Sequence, residues 1–175
     1  MSKKSVDTGK GRIMVFGTFD GLHKGHLNFF KQARKLHQFP FLIVSIGRDR
    51  NVKKIKGENP EFSERKRLNL VKKCKLADRV VLSGIKNHLS HIVKMHPEII
   101  ALGYDQKAYV KNLKKDLKNK GVLVKIVRLK PYKEKIYKNH LLKNICKKCR
   151  TEATMQKQLQ KKSLRNNQFF LRMLL

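Results

Sequence analysis

From Arg12 onward, short apolar runs alternate with longer stretches in which apolar residues recur every three or four positions. Arg12 to Gly17 (Arg-Ile-Met-Val-Phe-Gly) reads as a buried strand closed by glycine. Gly25 to His37 places Leu27, Phe30, Ala33 and Leu36 at helical spacing. Phe39 to Ile46 is a continuous apolar run, the pattern of a strand buried on both faces. Arg48 to Glu61 is polar, contains Gly57 and Pro60, and reads as a loop. Ser63 is a good N-cap for a helix carrying Leu68, Val71 and Cys74 on one face. Arg79 to Leu82 reads as a third strand, Leu89 to Met95 as a short helix ending before Pro97, and Glu98 to Gly103 as a fourth strand. Gln106 to Lys120 predicts an amphipathic helix with Gly121 as its C′ residue, and Val122 to Leu129 a fifth strand. Strands alternating with helices predict an α/β fold, an open parallel sheet of about five strands with helices on both faces.

After Pro131 the pattern changes. The expected organisation is a basic arm over residues 1–11, one domain over 12–143, and a basic extension over 144–175, helical or disordered. The extension holds eight Lys/Arg and one acid, and it ends in the apolar segment Phe169 to Leu175. Its Cys146-x-x-Cys149 is a single pair, too little for a zinc ribbon, and reads as structural or incidental.

Composition narrows the classes of function. Forty-three basic residues against twelve acidic give a net charge of +31, which favours polyanionic partners. Of the 43, 32 are Lys and 11 are Arg, and a Lys coat is equally a solvated surface. The charge is not a property of the extension: residues 1–143 alone hold 35 basic and 11 acidic side chains. A hydrophobic fraction of 40% excludes wholesale disorder. No apolar run approaches the ~18 residues of a membrane span. An odd number of cysteines, three, and a polar N-terminus without an apolar secretion core predict a reducing, cytoplasmic setting.

The densest chemical signal is Gly17-Thr18-Phe19-Asp20-Gly21-Leu22-His23-Lys24-Gly25-His26, where the first strand gives way to the first helix. In an open parallel sheet, ligands bind outside the carboxyl ends of the strands. Gly17 and Gly21 admit close approach of the backbone to a ligand. With a helix starting near His23, the rings of His23 and His26 fall on one face of the first turn. There the unpaired N–H groups and the helix dipole favour an anion. Two imidazole donors over a helix N-terminus, with Lys24 nearby, make a phosphate site. No third His, Cys or carboxylate stands at a metal-ligand spacing.

This segment resembles the Gly-Thr-Phe-Asp…His-x-Gly-His signature of the cytidylyltransferase-like nucleotidyltransferases. Further likeness runs through Arg48-Asp49, the basic loop Lys53-Lys54-Ile55-Lys56-Gly57, Ser63-Glu64-Arg65-Lys66-Arg67, and Gly103-Tyr104-Asp105-Gln106. Within that superfamily the combination is similar to archaeal-type FAD synthases (FMN adenylyltransferases) and, next, to glycerol-3-phosphate cytidylyltransferase. The resemblance implies a Rossmann-like fold. It also implies in-line transfer of AMP or CMP from ATP or CTP to a phosphorylated small-molecule acceptor, with release of pyrophosphate.

By the same resemblance, His23 and His26 would hold phosphates and stabilise developing charge. Thr18 and the backbone of Phe19 would meet the α-phosphate, with Gly17 and Gly25 shaping the loop. Lys56, with Lys53, would meet the acceptor or triphosphate, and Arg67 would bind phosphates from the next helix. Gly103 and Asp105 would face ribose and base. Mg²⁺ would accompany the nucleotide, supported by few protein carboxylates. Relatives carry a second phosphate-binding cap rich in Ser/Thr; the matching segment here, Tyr137 to Lys143, keeps Leu142 and Lys143 but has Asn139 and His140 in place of the hydroxyls. Two other readings stand beside the enzyme. One is a nucleic-acid-binding module using the basic surface, weakened by the absence of Trp and of any recognised binding signature. The other is a catalytically weakened relative that binds nucleotide. A homodimer is left open.

Overall fold

The computed structural model describes residues 11–85, 87–106 and 112–133. All of them lie in one compact unit, Met1–Glu134. The arm before residue 11, the Asn139–Lys143 cap and the extension fall outside the described residues.

Five strands form one parallel sheet: β1 (Gly11–Gly17), β2 (Pro40–Ile46), β3 (Arg79–Leu82), β4 (Ile99–Leu102) and β5 (Lys125–Arg128), in the order β3-β2-β1-β4-β5. The connections contain α1 (Lys24–Arg34), α2 (Asp49–Lys56), α3 (Glu64–Lys73), α4 (His88–Met95) and α5 (Leu113–Asn119). The central strands are buried on both faces because a core lies on each side. Ile13, Val15, Leu42, Val44 and Ile46 pack with Phe30 and Ala33 of α1 and Val71 of α3. Met14, Ile43 and Ile100 pack with Ile92 and Met95 of α4 and Leu113 and Leu117 of α5. Alternate residues of one strand thus feed opposite cores, which is why the run over β2 is continuously apolar rather than alternating. Each fully buried side chain of this kind contributes about 1.5–3 kcal/mol.

Two elements differ from expectation. Arg48 to Glu61 is not all loop: Asp49 to Lys56 is helical, with Asn51 and Val52 buried. The helix was hidden because only Val52 and Ile55 are apolar in it, although an acid at its start, lysines at its end and Gly57 at a left-handed φ of 79° are helix-terminus signals. The amphipathic helix expected from Gln106 is seen from Leu113, with residues 107–111 outside the description. Its end is as expected. Val122 N–H bonds to Leu117 C=O (3.0 Å) and Gly121 N–H to Lys118 C=O (2.9 Å), the paired bonds of a Schellman cap.

α4 shows how much a single cap holds. Asn87 Oδ1 accepts from Ser90 N–H at 2.9 Å. Asn87→Ala removes that acceptor and is expected to cost about 1 kcal/mol, read as a lower denaturation midpoint in urea with an unchanged slope.

β1 and β4 are neighbours, yet the chain leaves them in opposite directions, β1 toward β2 and β4 toward β5. The carboxyl ends of β1 and β4 therefore mark the topological switch point, where a crevice opens for ligands.

Candidate active site

The loop from Thr18 to His23 rises from β1 at that switch point. At Gly17 a Cβ would stand 2.6 Å from the Phe19 ring, so no larger residue fits without moving that ring. Phe19 turns the chain at φ 50°, a left-handed conformation that costs a non-glycine residue about 1–2 kcal/mol. The turn sends its ring into the core, 3% exposed, against Phe30 (5.1 Å between ring centroids) and edge-on to His26 (5.2 Å, 76°). The other end of the loop is clasped by Asp20, whose carboxylate accepts from the backbone N–H of Glu61 (2.8 Å) and Phe62 (2.9 Å).

His23 is not inside the helix. It is the N-cap of α1, with φ −134°, and its Nδ1 accepts from His26 N–H at 3.4 Å. The neutral ring therefore carries its proton on Nε2. His23 and His26 stack at 3.8 Å and 23°, so the pair presents two imidazole edges over the first turn of α1, where Gly25 also lies. His26 Nδ1 is buried and, among the described residues, has no hydrogen-bond partner. Its pKa falls to about 3 because burial strips its solvation, the adjacent His23 repels a second charge, and Lys56 adds repulsion; the Gly21 backbone acts the other way. His26 is thus a neutral imidazole, and Lys56 at the end of α2 is close enough for its charge to act on it. Lys53 and Lys24 are exposed, on α2 and at the start of α1.

Across the crevice, Gly103 follows directly on β4. Gln106 bridges the two diverging strand ends: its Oε1 accepts from Gly103 N–H (2.9 Å) and its Nε2 donates to Phe16 C=O (2.7 Å). Arg128 of β5 donates to the carbonyls of Gly103 (2.7 Å), Tyr104 (3.2 Å) and Gln106 (3.0 Å). Asp105 is exposed on this turn. Arg128 was not legible as a site residue, since a lone Arg at a strand end carries no local pattern. Lys143 lies outside the described residues.

Arg67 does not fit the part of phosphate ligand. It is 0% exposed, and its guanidinium donates to Phe62 C=O (2.9 Å), Thr18 C=O, Gly47 C=O (2.7 Å) and Asp49 Oδ1 (2.6 Å). Four of its five N–H groups are satisfied by protein acceptors. Asp49 and Glu64 cap each other reciprocally, each backbone N–H on the other's carboxylate at 3.1 Å, and Arg48 Nη1 meets Glu64 Oε1 at 2.8 Å. The sequence pairs Arg48-Asp49 and Glu64…Arg67 thus lock α2 to α3 beneath the loop.

Asp20, Asp49 and Glu64 have structural partners, and among the described residues no group of three or more His, Cys, Asp or Glu stands together to hold a metal. Nor is any described helix long and apolar enough to cross a membrane. What the edge offers is a pair of imidazoles, the neutral His26 among them, and a helix N-terminus at a switch point, with lysines alongside. That arrangement suits a phosphate-rich substrate whose charge changes during reaction.

Comparison with known proteins agrees. A protein named FAD synthase from Korarchaeum cryptofilum is 42% identical over 119 residues, which are 67% of this chain and 80% of that protein. The FAD synthase of Methanosarcina barkeri is 39% identical over 123 residues, covering 70% and 86%. A crystal structure titled as a lipopolysaccharide core biosynthesis protein from Thermoplasma volcanium superposes with a TM-score of 0.64 at 36% identity, covering 70% of this chain and 98% of that one. The Cytidylyltransferase-like family model matches residues 14–158, a span that starts inside β1 and takes in both edges of the crevice. With the imidazole pair at the mouth of that crevice, the chain belongs to the cytidylyltransferase-like nucleotidyltransferases.

Proposed function

We propose that the protein is an FMN adenylyltransferase. An oxygen of the FMN phosphate attacks the α-phosphorus of ATP, a P–O bond forms to give FAD, and the bond to the β-phosphate oxygen breaks to release pyrophosphate. The observation that carries the transfer chemistry is the stacked His23–His26 pair at the N-terminus of α1. The choice of acceptor and of ATP rests on the relatives named FAD synthase.

No side chain needs to form a covalent bond in this reaction, so the chain contributes position and charge stabilisation. His23 donates from Nε2 and His26 from its neutral ring to oxygens of the reacting and leaving phosphates. The first-turn N–H groups of α1 add their dipole. Lys56, with Lys53 and Lys24 as exposed neighbours, draws in the two polyanionic substrates. Gly103, Asp105 and the Gln106 bridge form the opposite wall, suited to ribose and base. Mg²⁺ would come in on the triphosphate, its ligands phosphate oxygens and water, and would supply neutralisation of the pyrophosphate. This fits a site whose carboxylates Asp20 and Asp49 already serve backbone amides and Arg67.

The test is pyrophosphate release with ATP or CTP against FMN, glycerol 3-phosphate, phosphocholine and phosphopantetheine. FAD and pyrophosphate in equal amounts from ATP and FMN are expected. Turnover confined to CTP and another acceptor would overturn the proposal. Nucleotide binding without pyrophosphate from any acceptor would leave the weakened relative as the correct reading.

A further inference from the structure

We propose that Arg67 is a positioning residue for nucleotidyl transfer, holding the Thr18–Phe19 turn in the conformation that sets the His26 ring. Its guanidinium touches all three segments around the imidazole pair. It bonds Thr18 C=O in the β1–α1 loop, Gly47 C=O after β2, and Phe62 C=O before α3. Phe62 N–H also donates to Asp20 Oδ1 at 2.9 Å, tying the segment before α3 to the β1–α1 loop. Gly47 N–H in turn donates to Gly17 C=O at 2.9 Å, tying the end of β2 to the residue that starts the loop.

The frame has something to hold. Phe19 sits at φ 50°, a conformation that persists in a non-glycine residue only where its surroundings over-determine it. The residue before it is the one whose carbonyl Arg67 grips. The Phe19 ring packs edge-on against His26, so a change in the turn reaches the imidazole through one contact. A fully buried guanidinium is costly to desolvate and is retained here with its charge met by Asp49 at 2.6 Å. Its fork spans three carbonyls pointing from different directions, which a lysine ammonium on its narrower head cannot do. Arg67 therefore acts on the reaction through Thr18, Phe19 and His26, and touches no substrate itself.

This inference rests on the transfer reaction proposed above, so one of its two readouts needs no turnover. Arg67→Lys in the full chain is compared with wild type by steady-state kinetics with ATP and FMN, and by NMR of ¹³C-labelled histidine rings without substrate. The expected result is a fall in kcat of ~10²-fold, the scale of a small misplacement at a reacting centre, with KM for ATP within about threefold. The His26 ring resonances are expected to shift while those of His37, far down the sheet, stay in place. A rise in KM for ATP with kcat kept would make Arg67 a phosphate ligand and overturn the proposal. A lower melting temperature with unchanged kcat and unchanged His26 resonances would make it scaffold alone and also overturn it. If Arg67→Lys does not fold, Asp49→Asn, which removes the countercharge and keeps an acceptor, must reproduce the kcat loss and the His26 shift. Failure of that variant to do so, or to fold, overturns the proposal as well. Wild type that makes no pyrophosphate with any acceptor would fault the assigned reaction, and the NMR shift would still judge the frame.

Discussion

His26→Ala is expected to lower kcat for pyrophosphate release by about 10²–10³-fold while the protein still melts cooperatively. The magnitude is that of removing one preorganised donor from the place where charge develops. The fold should survive because the ring gives up only a backbone hydrogen bond at Gly21 and its packing on Phe19 and His23, while His26 Nδ1 has no partner among the described residues. A buried polar atom without a partner is destabilising in the free protein, and such groups cluster where a ligand is meant to complete them. The control is His37→Ala. His37 lies at the opposite end of β1, near Gly11, and its loss should leave kcat unchanged. A His26→Ala variant turning over at the wild-type rate would mean that the stacked pair is a helix cap and nothing more.

That capping role is real, and it shows what sequence could and could not convey. Strand–helix alternation was plain because each strand is a short apolar run and α1 and α3 each present apolar residues to one core. The Gly17–His26 segment was legible as a site because two histidines, two glycines and a helix start coincide. Three things were not legible. α2 carries only two apolar residues, so its helical period is buried in charge, and its evidence lay in the termini. Gln106 stood in a recognised motif, but its reach across the switch point to the Phe16 carbonyl was not legible, since no linear pattern encodes a partner 90 residues away; nor does one show Arg128 gripping the carbonyls of the turn after β4. Arg67 looked like a phosphate ligand because the resemblance supplies a position and a charge but not burial. Only packing reveals that its donors are already spent on Thr18, Gly47, Phe62 and Asp49. The same distinction divides the +31 charge. Lys56 acts on His26 and Arg67 is internal, while other described lysines, including Lys114, Lys115 and Lys118 on α5, are exposed and outside the crevice.

Acid should destabilise this protein through the same imidazole that the proposed reaction uses. The folded pKa of His26 is about 3, below the ordinary value of 6.5, so between those limits the unfolded chain binds a proton that the folded chain refuses. Stability then rises with pH across that window: the contribution is complete above about pH 6.5 and is lost progressively as pH falls toward 3. His88 and His91, both lowered by burial, with His88, Arg48 and Lys94 repelling charge on His91, add in the same direction. At about 1.4 kcal/mol per unit, lowering pH from about 7.5 to about 4.5 costs up to roughly 3 kcal/mol at His26 alone. His26→Asn removes the titration and keeps a polar side chain of similar reach. Urea unfolding at the two pH values is therefore expected to show a smaller acid loss for His26→Asn than for wild type, by up to about 3 kcal/mol; equal losses would mean that His26 is solvated in the folded chain. A bound triphosphate reverses the electrostatics. Its anionic oxygens beside the ring of His26 favour the charged imidazole, so ATP binding near neutral pH should draw in a fraction of a proton. Calorimetry in two buffers of different ionisation enthalpy reads that uptake directly, and it should vanish in His26→Asn. The low basicity of the free ring and the demand for charge at the transferring phosphate are then two ends of one titration: what the fold gives up in acid resistance keeps a donor poised until the substrate supplies its counter-ion.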